Sequence, residues 1–260
     1  MSRHSIIAFA AMATAGLLAG LLPQEARAVT DEIQVYTDDI NAPGERGLEL
    51  HVNTTPKGRN ASNYEGELPP NHGWRLTPEF SWGLTNSLEA GLYVPVATSD
   101  SGDIYMGGLK ARLKWLPIHG GDGWYVGANG ELSNVTRKFS DFRVEAELRI
   151  MLGYRTADWL FGMNPIFGWS LSPGHDRSPD ATLAYKVGRK VAEGISLGVE
   201  YYNGLGTLKD RLPHDQQDRT FYLVMDYDRA PYVFNFGIGH GLNAASDDWT
   251  IKTIFEIPFN

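Results

Sequence analysis

Residues 142–152 read Phe142-Arg143-Val144-Glu145-Ala146-Glu147-Leu148-Arg149-Ile150-Met151-Leu152. Apolar side chains occupy the even positions, and Arg143, Glu145, Glu147 and Arg149 occupy the odd ones. A period of two places successive side chains on opposite faces of a strand, so this segment has one oily face and one charged face. The pattern recurs. Trp74, Leu76, Pro78, Phe80 and Trp82 alternate with Arg75, Thr77, Glu79 and Ser81, and Tyr105, Leu109, Ala111, Leu113 and Trp115 share a phase opposite Lys110, Arg112 and Lys114. Further strands are predicted around Leu50, Leu92, Ala128, Pro165, Leu183, Val199, Leu223, Phe236 and Phe255, twelve in all. An even count suits a single-chain bacterial barrel. Pro78, Pro95 and Pro165 each lack a ladder donor and are expected at bulges or strand ends.

The connections predict the same architecture. If the first strand runs outward, the external loops are 54–73, 97–104, 135–141, 172–180, 204–217 and 241–247. The other rim receives 85–87, 116–122, 156–158, 189–194 and 228–231. Long loops alternate with short turns, as in outer-membrane barrels.

All seven tryptophans, Trp74, Trp82, Trp115, Trp124, Trp159, Trp169 and Trp249, fall on the apolar phase. They are predicted to form an aromatic girdle, because indole rings prefer the headgroup level. Trp159 and Trp169 would sit on one strand, about 25 Å apart along the membrane normal at ordinary strand rise and tilt. A soluble sandwich or lipocalin-like barrel would also alternate, but it would bury the tryptophans and turn the charges outward.

The ends point to export. Arg3 and His4 precede an apolar run from Ile6 to Leu22, followed by Ala26-Arg27-Ala28. That is the layout of a cleavable signal, with residues 1–28 removed and the protein directed to the bacterial outer membrane. Residues 29–45 are expected to form a periplasmic tail or a small plug, and residues 46–260 a single antiparallel all-β barrel. The terminal strand, Trp249 to Phe259, ends near an aromatic residue, which makes it a candidate address for the outer-membrane assembly machinery. The other expected partners are membrane lipid and small solutes. With 23 Lys plus Arg against 31 Asp plus Glu, the surface does not suit nucleic acid. There are no cysteines, so closure and packing must hold the fold without cross-links.

Several stretches carry a family resemblance: Asn41-Ala42-Pro43-Gly44, Pro78-Glu79-Phe80-Ser81-Trp82-Gly83-Leu84, Glu89-Ala90-Gly91-Leu92-Tyr93, Gly198-Val199-Glu200-Tyr201-Tyr202 and Phe234-Asn235-Phe236-Gly237-Ile238-Gly239. They resemble proteobacterial outer-membrane proteins of uncharacterised role that are labelled transporters, and are similar to a family associated with the meta-pathway of phenol degradation. The resemblance implies a fold and a location, and it brings no catalytic residues.

The inward phase assigns lumen-lining charges to Arg75, Glu79, Glu89, Lys110, Arg112, Lys114, Glu131, Arg143, Glu145, Glu147, Arg149, Glu200, Lys252 and Glu256. With Glu49, Arg155, Lys186 and Asp226 added, acids and bases on the wall are equal in number. Such a lining reads either as a self-satisfied network or as a polar path for small solutes, aromatic or anionic ones among them, with Lys110, Arg112 and Lys114 at a constriction. His51 lies on the inward phase beside Glu49 and is expected to be a hydrogen-bonding residue of the lumen. No His-x-Ser pair, zinc-like cluster, phosphate loop or Gly-x-Ser-x-Gly elbow occurs, so no catalytic residue, metal or cofactor is expected. The competing function is a non-conducting barrel, either structural or a lipid-modifying enzyme.

Overall fold

The computed structural model describes residues 31–174 and 177–258. The predicted signal segment, His175 and Phe259 lie outside them. The described chain is all-β, in chain order β1 (Arg46–Lys57), β2 (Trp74–Thr85), β3 (Leu88–Tyr93), β4 (Val96–Thr98), β5 (Ile104–Met106), β6 (Gly108–Ile118), β7 (Gly123–Val135), β8 (Val144–Arg155), β9 (Trp159–Ser170), β10 (Asp180–Ala192), β11 (Ile195–Thr207), β12 (Arg219–Arg229), β13 (Tyr232–Gly241) and β14 (Trp249–Pro258). Each strand pairs antiparallel with its neighbours, and β1 pairs with both β14 and β2. The sheet therefore closes on itself through β1, so its long strands are paired on both sides, as a medium that cannot hydrogen-bond to an open edge requires.

β3 with β4 and β5 with β6 are single barrel strands, each interrupted once, so the closed barrel has the expected twelve. Pro95 makes the first break and Pro78 lies across from it, accepting the Val94 N–H at 3.1 Å. Carbonyl and nitrogen of one residue face the same side of a strand, so the donor that Pro78 lacks falls where the ladder is already open. Gly107 and Gly108 make the second break. Gly108 adopts a φ of 124°, and a Cβ there would sit 2.1 Å from the Asn134 carbonyl oxygen. Pro165 lies in the middle of β9, where the pairing with β8 passes from Arg149↔Ile166 to Leu152↔Met163. Pro78 and Pro165 are thus strand-interior residues, not strand ends; the ladder opens locally around each.

Connections alternate in length as the sequence predicts. Residues 58–73, 99–103, 136–143, 171–174 with 177–179, 208–218 and 242–248 occupy the long-loop rim, and 86–87, 119–122, 156–158, 193–194 and 230–231 the short-turn rim. The sidedness is plain in β2, where every second residue from Arg75 to Gly83 is buried and those between are exposed or half-buried. The charged phase is the inner one: Arg75, Glu79, Arg112 and Lys252 are buried, while Leu109, Leu113, Leu132 and Leu223 are exposed on the outer wall.

Candidate functional site: a lumen divided by its own N-terminal segment

Residues 31–41 run through the inside of the barrel, held by side chains from opposite walls. Tyr36 is the central anchor. Its N–H donates to Asn164 Oδ1 at 2.6 Å, its carbonyl accepts from Asn164 Nδ2 at 3.0 Å, and its hydroxyl bonds that of Tyr93 at 2.8 Å. The ring has the Arg149 guanidinium 4.2 Å from its centre and the Lys114 amine at 5.2 Å, a cation–π arrangement. Burial, with Glu32 and Glu79 nearby, pushes the Tyr36 phenol well above its ordinary pKa, so it remains a neutral hydrogen-bonding group.

Other wall residues hold the segment by backbone and charge. Arg149 donates to the Gln34 carbonyl at 2.9 Å and Lys252 to that of Ile33 at 3.0 Å. Lys110 pairs with Asp31 at 2.9 Å, and Arg155 chelates both carboxylate oxygens of Asp38. The Asn41 N–H donates to Glu89 at 2.7 Å. Apolar side chains complete the seat, Ile33 against Tyr222 and Val224, and Tyr36 against Leu116 and Met151. Burial opposes ionisation of Glu32, but Arg149, His51 and Lys110 outweigh it and hold the carboxyl below its usual range.

The segment and the charges around it separate two cavities. The one toward the long loops has a volume of about 290 Å³ and is lined by Asp31, Glu32, Arg59, Arg75, Lys110 and Tyr222, among others. The one toward the short turns is larger, about 1070 Å³, with Asp38, Asp39, Glu49, Lys114, Arg155 and Glu256 in its lining. Gln34 borders both.

Most of the charged positions expected to face the lumen are brought into ion-paired clusters. Arg112 binds Glu79 through Nε at 2.6 Å and Glu89 through Nη2 at 2.7 Å, and Lys114 reaches Glu89 at 3.2 Å. Lys110 spans Asp31 and Glu131, the latter at 3.4 Å. Lys252 and Glu200 meet at 2.5 Å, although β14 and β11 are separated by two strands; Lys186 joins them from β10, 3.5 Å from Glu200 and 2.8 Å from Asp226. Arg75 turns to the rim, donating to the carbonyls of Trp74 and Leu68 at 3.1 and 3.2 Å. Glu147 pairs with Arg149 at 3.3 Å, and Glu145 lies half-buried on the same strand. Glu256 is exposed and lines the larger cavity.

Arg143 departs from expectation. β8 begins only at Val144, so Arg143 falls in the preceding connection and is exposed rather than set on the inner wall. The basic ladder departs too: Lys110, Arg112 and Lys114 are each engaged by carboxylates and offer little uncompensated positive field. The equality of wall charges therefore does not hold, because Arg143 leaves the wall, and the inserted segment further adds Asp31, Glu32, Asp38 and Asp39 and no base.

On the outside, Trp74, Trp82, Trp115, Trp124, Trp159 and Trp249 are exposed and Trp169 is half-buried. Trp74, Trp169 and Trp249 stand at the long-loop end of their strands; Trp82, Trp115, Trp124 and Trp159 lie toward the short-turn end. Trp159 stacks on Phe161, and Trp124 meets Tyr154 edge-on at 5.2 Å.

One constellation has no linear motif. Glu49 and His51 on β1 face Glu79 on β2, with His51 Nε2 3.3 Å from Glu79 and 3.8 Å from Glu49. Glu-x-His is legible as one face of a strand, but the third member depends on the register Glu49↔Glu79.

No family model matches the sequence, and no curated protein matches it. Solved structures do. The COG4313 outer membrane channel from Pseudomonas putida F1 aligns with a TM-score of 0.60 at 12% identity, over 88% of this chain and 100% of that one. The KdgM porin aligns at 0.56 with 9% identity, and the NanC porin at 0.52 with 14%, each over 82% of this chain and 99% of its own. The chain has the fold of a bacterial outer-membrane β-barrel.

Proposed function

We propose that the protein conducts small solutes passively across the outer membrane, and that residues 31–41 are a plug that narrows the path at mid-height. The observation that carries this is the pair of cavities, one on each side of an inserted segment, both with charged residues in their lining. A structural barrel can fill its lumen with its own wall side chains; here residues 31–41 occupy the middle and leave a cavity on either side. The similarity to an outer membrane channel and to two porins supports the reading, as does the resemblance to proteins labelled transporters. A location in the outer membrane, reached through a cleaved signal, belongs to the same proposal, as does the absence of enzymatic activity. The excess carboxylates of the segment favour cations and neutral solutes over anions.

Single-channel recording tests it. The full chain is expected to show small conductance steps, and Asn164→Leu, which removes both bonds to the Tyr36 backbone, larger or more frequent ones. Barrel closure is checked by gel mobility before and after boiling. No steps from folded preparations of either form would overturn the reading.

A further inference from the structure

The register of three neighbouring strands sets Glu256, Glu49 and Glu79 side by side across the inner wall, since Glu49 pairs with Glu256 on β14 and with Glu79 on β2. Like charges directly opposite on adjacent strands repel. The nearest bases are engaged mainly with Glu79 and Glu89. Arg112 takes Glu79 Oε1 and shares itself with Glu89, and Lys114 is drawn to Glu89 and to the Asp39 carbonyl. Among the described residues, the ion-pair partner of Glu49 is the His51 imidazole, and Glu79 Oε2 is turned to that same ring.

We propose that Glu49, His51 and Glu79 bind a divalent transition-metal ion of the Zn²⁺ class, with Glu256 as the neighbouring carboxylate that strengthens its attraction. Two donors that share a tetrahedral ion at ordinary bond lengths stand about 3.4 Å apart. His51 Nε2 lies 3.3 and 3.8 Å from the two carboxylate oxygens, and all three donor atoms fall within 4.8 Å of one another. His51 and Glu79 are buried and fixed, whereas the Glu49 side chain is 24% exposed and lines the larger cavity, so it provides the entry side. One imidazole with two carboxylates suits Zn²⁺, Mn²⁺ or Fe²⁺ better than Mg²⁺, which prefers oxygen ligands and water. The ion would cross-link β1 to β2 close to where the inserted segment turns into β1, for Asn41 bonds Ser81, two residues beyond Glu79.

Calorimetric titration of ZnCl₂ into the untagged full chain, refolded in detergent, tests this without any membrane current, so its outcome is separate from that of the channel reading. One ion per chain is expected. Affinity should fall about tenfold or more in Glu49→Gln and in His51→Gln, with gel mobility still reporting a closed barrel. A tenfold excess of Mg²⁺ should leave Zn²⁺ binding unchanged. X-ray absorption on the Zn²⁺-loaded wild type, which needs no variant to fold, should show one imidazole in the coordination shell. The proposal is overturned if the wild type takes up no Zn²⁺, if both variants bind as the wild type does, if Mg²⁺ displaces the ion, or if imidazole is absent from the shell.

Discussion

Replacing Arg112 by Met tests whether the lumen is held by its charges. The guanidinium is buried and bonds Glu79 at 2.6 Å and Glu89 at 2.7 Å. Each hydrogen bond to a charged partner contributes roughly 1.5–3 kcal/mol, so losing two sets an upper range of about 3–6 kcal/mol. Lys114 remains 3.2 Å from Glu89 and takes over part of its neutralisation. Glu79 keeps only the His51 ring at 3.3 Å. The expected destabilisation is therefore about 3–4 kcal/mol, in the range for orphaning one member of a buried pair. Met retains most of the apolar stem, so little of that cost is packing. The assay is urea unfolding in lipid vesicles with a chelator present, followed by tryptophan fluorescence and gel mobility. The double change Arg112→Met with Glu79→Gln removes the stranded charge and should recover most of the loss, because neutral replacement of a buried pair is often tolerated. Arg112→Met within about 1 kcal/mol of wild type, or a double variant as unstable as the single one, would mean that the lumen is not held by the Arg112 charge.

Two further outcomes probe the outer wall and the seat of the inserted segment. Leu148 is exposed near the middle of β8, and Leu148→Arg should cost about 2–4 kcal/mol in the same vesicle assay, as a charge on the lipid face near mid-membrane does; a neutral result would place that face in water. A Cβ at Gly83 would lie 2.0 Å from the Ala42 carbonyl oxygen, so Gly83→Ala should dislodge residues 42–45 and raise conductance while the barrel stays closed. Unchanged protease sensitivity of that corner would count against Gly83 as the seat of residues 42–45.

The two-residue period of 142–152 and 74–82 was enough to define two faces per strand, and alternating loop lengths with an even strand count were enough to close them into a barrel of twelve. These are local properties: a strand's side chains alternate whatever it pairs with, and hydrocarbon accepts only the apolar face. The limit of that reading shows at Arg143, where the alternation continues past the last ladder pair and the side chain leaves the wall. The path of residues 31–41 was not legible, because a short stretch with Ile33, Val35 and Tyr36 among carboxylates has the same composition in a periplasmic tail as in a plug. Pairings across the lumen were equally hidden. Lys252 meets Glu200 over two intervening strands, and Glu79 meets His51 only because β1 and β2 pair in one register; a single-residue slip would turn one of them to the lipid. Which charges are neutralised, and where an ion or solute finds room, follows from closure and register, and these exist only once the whole wall is assembled.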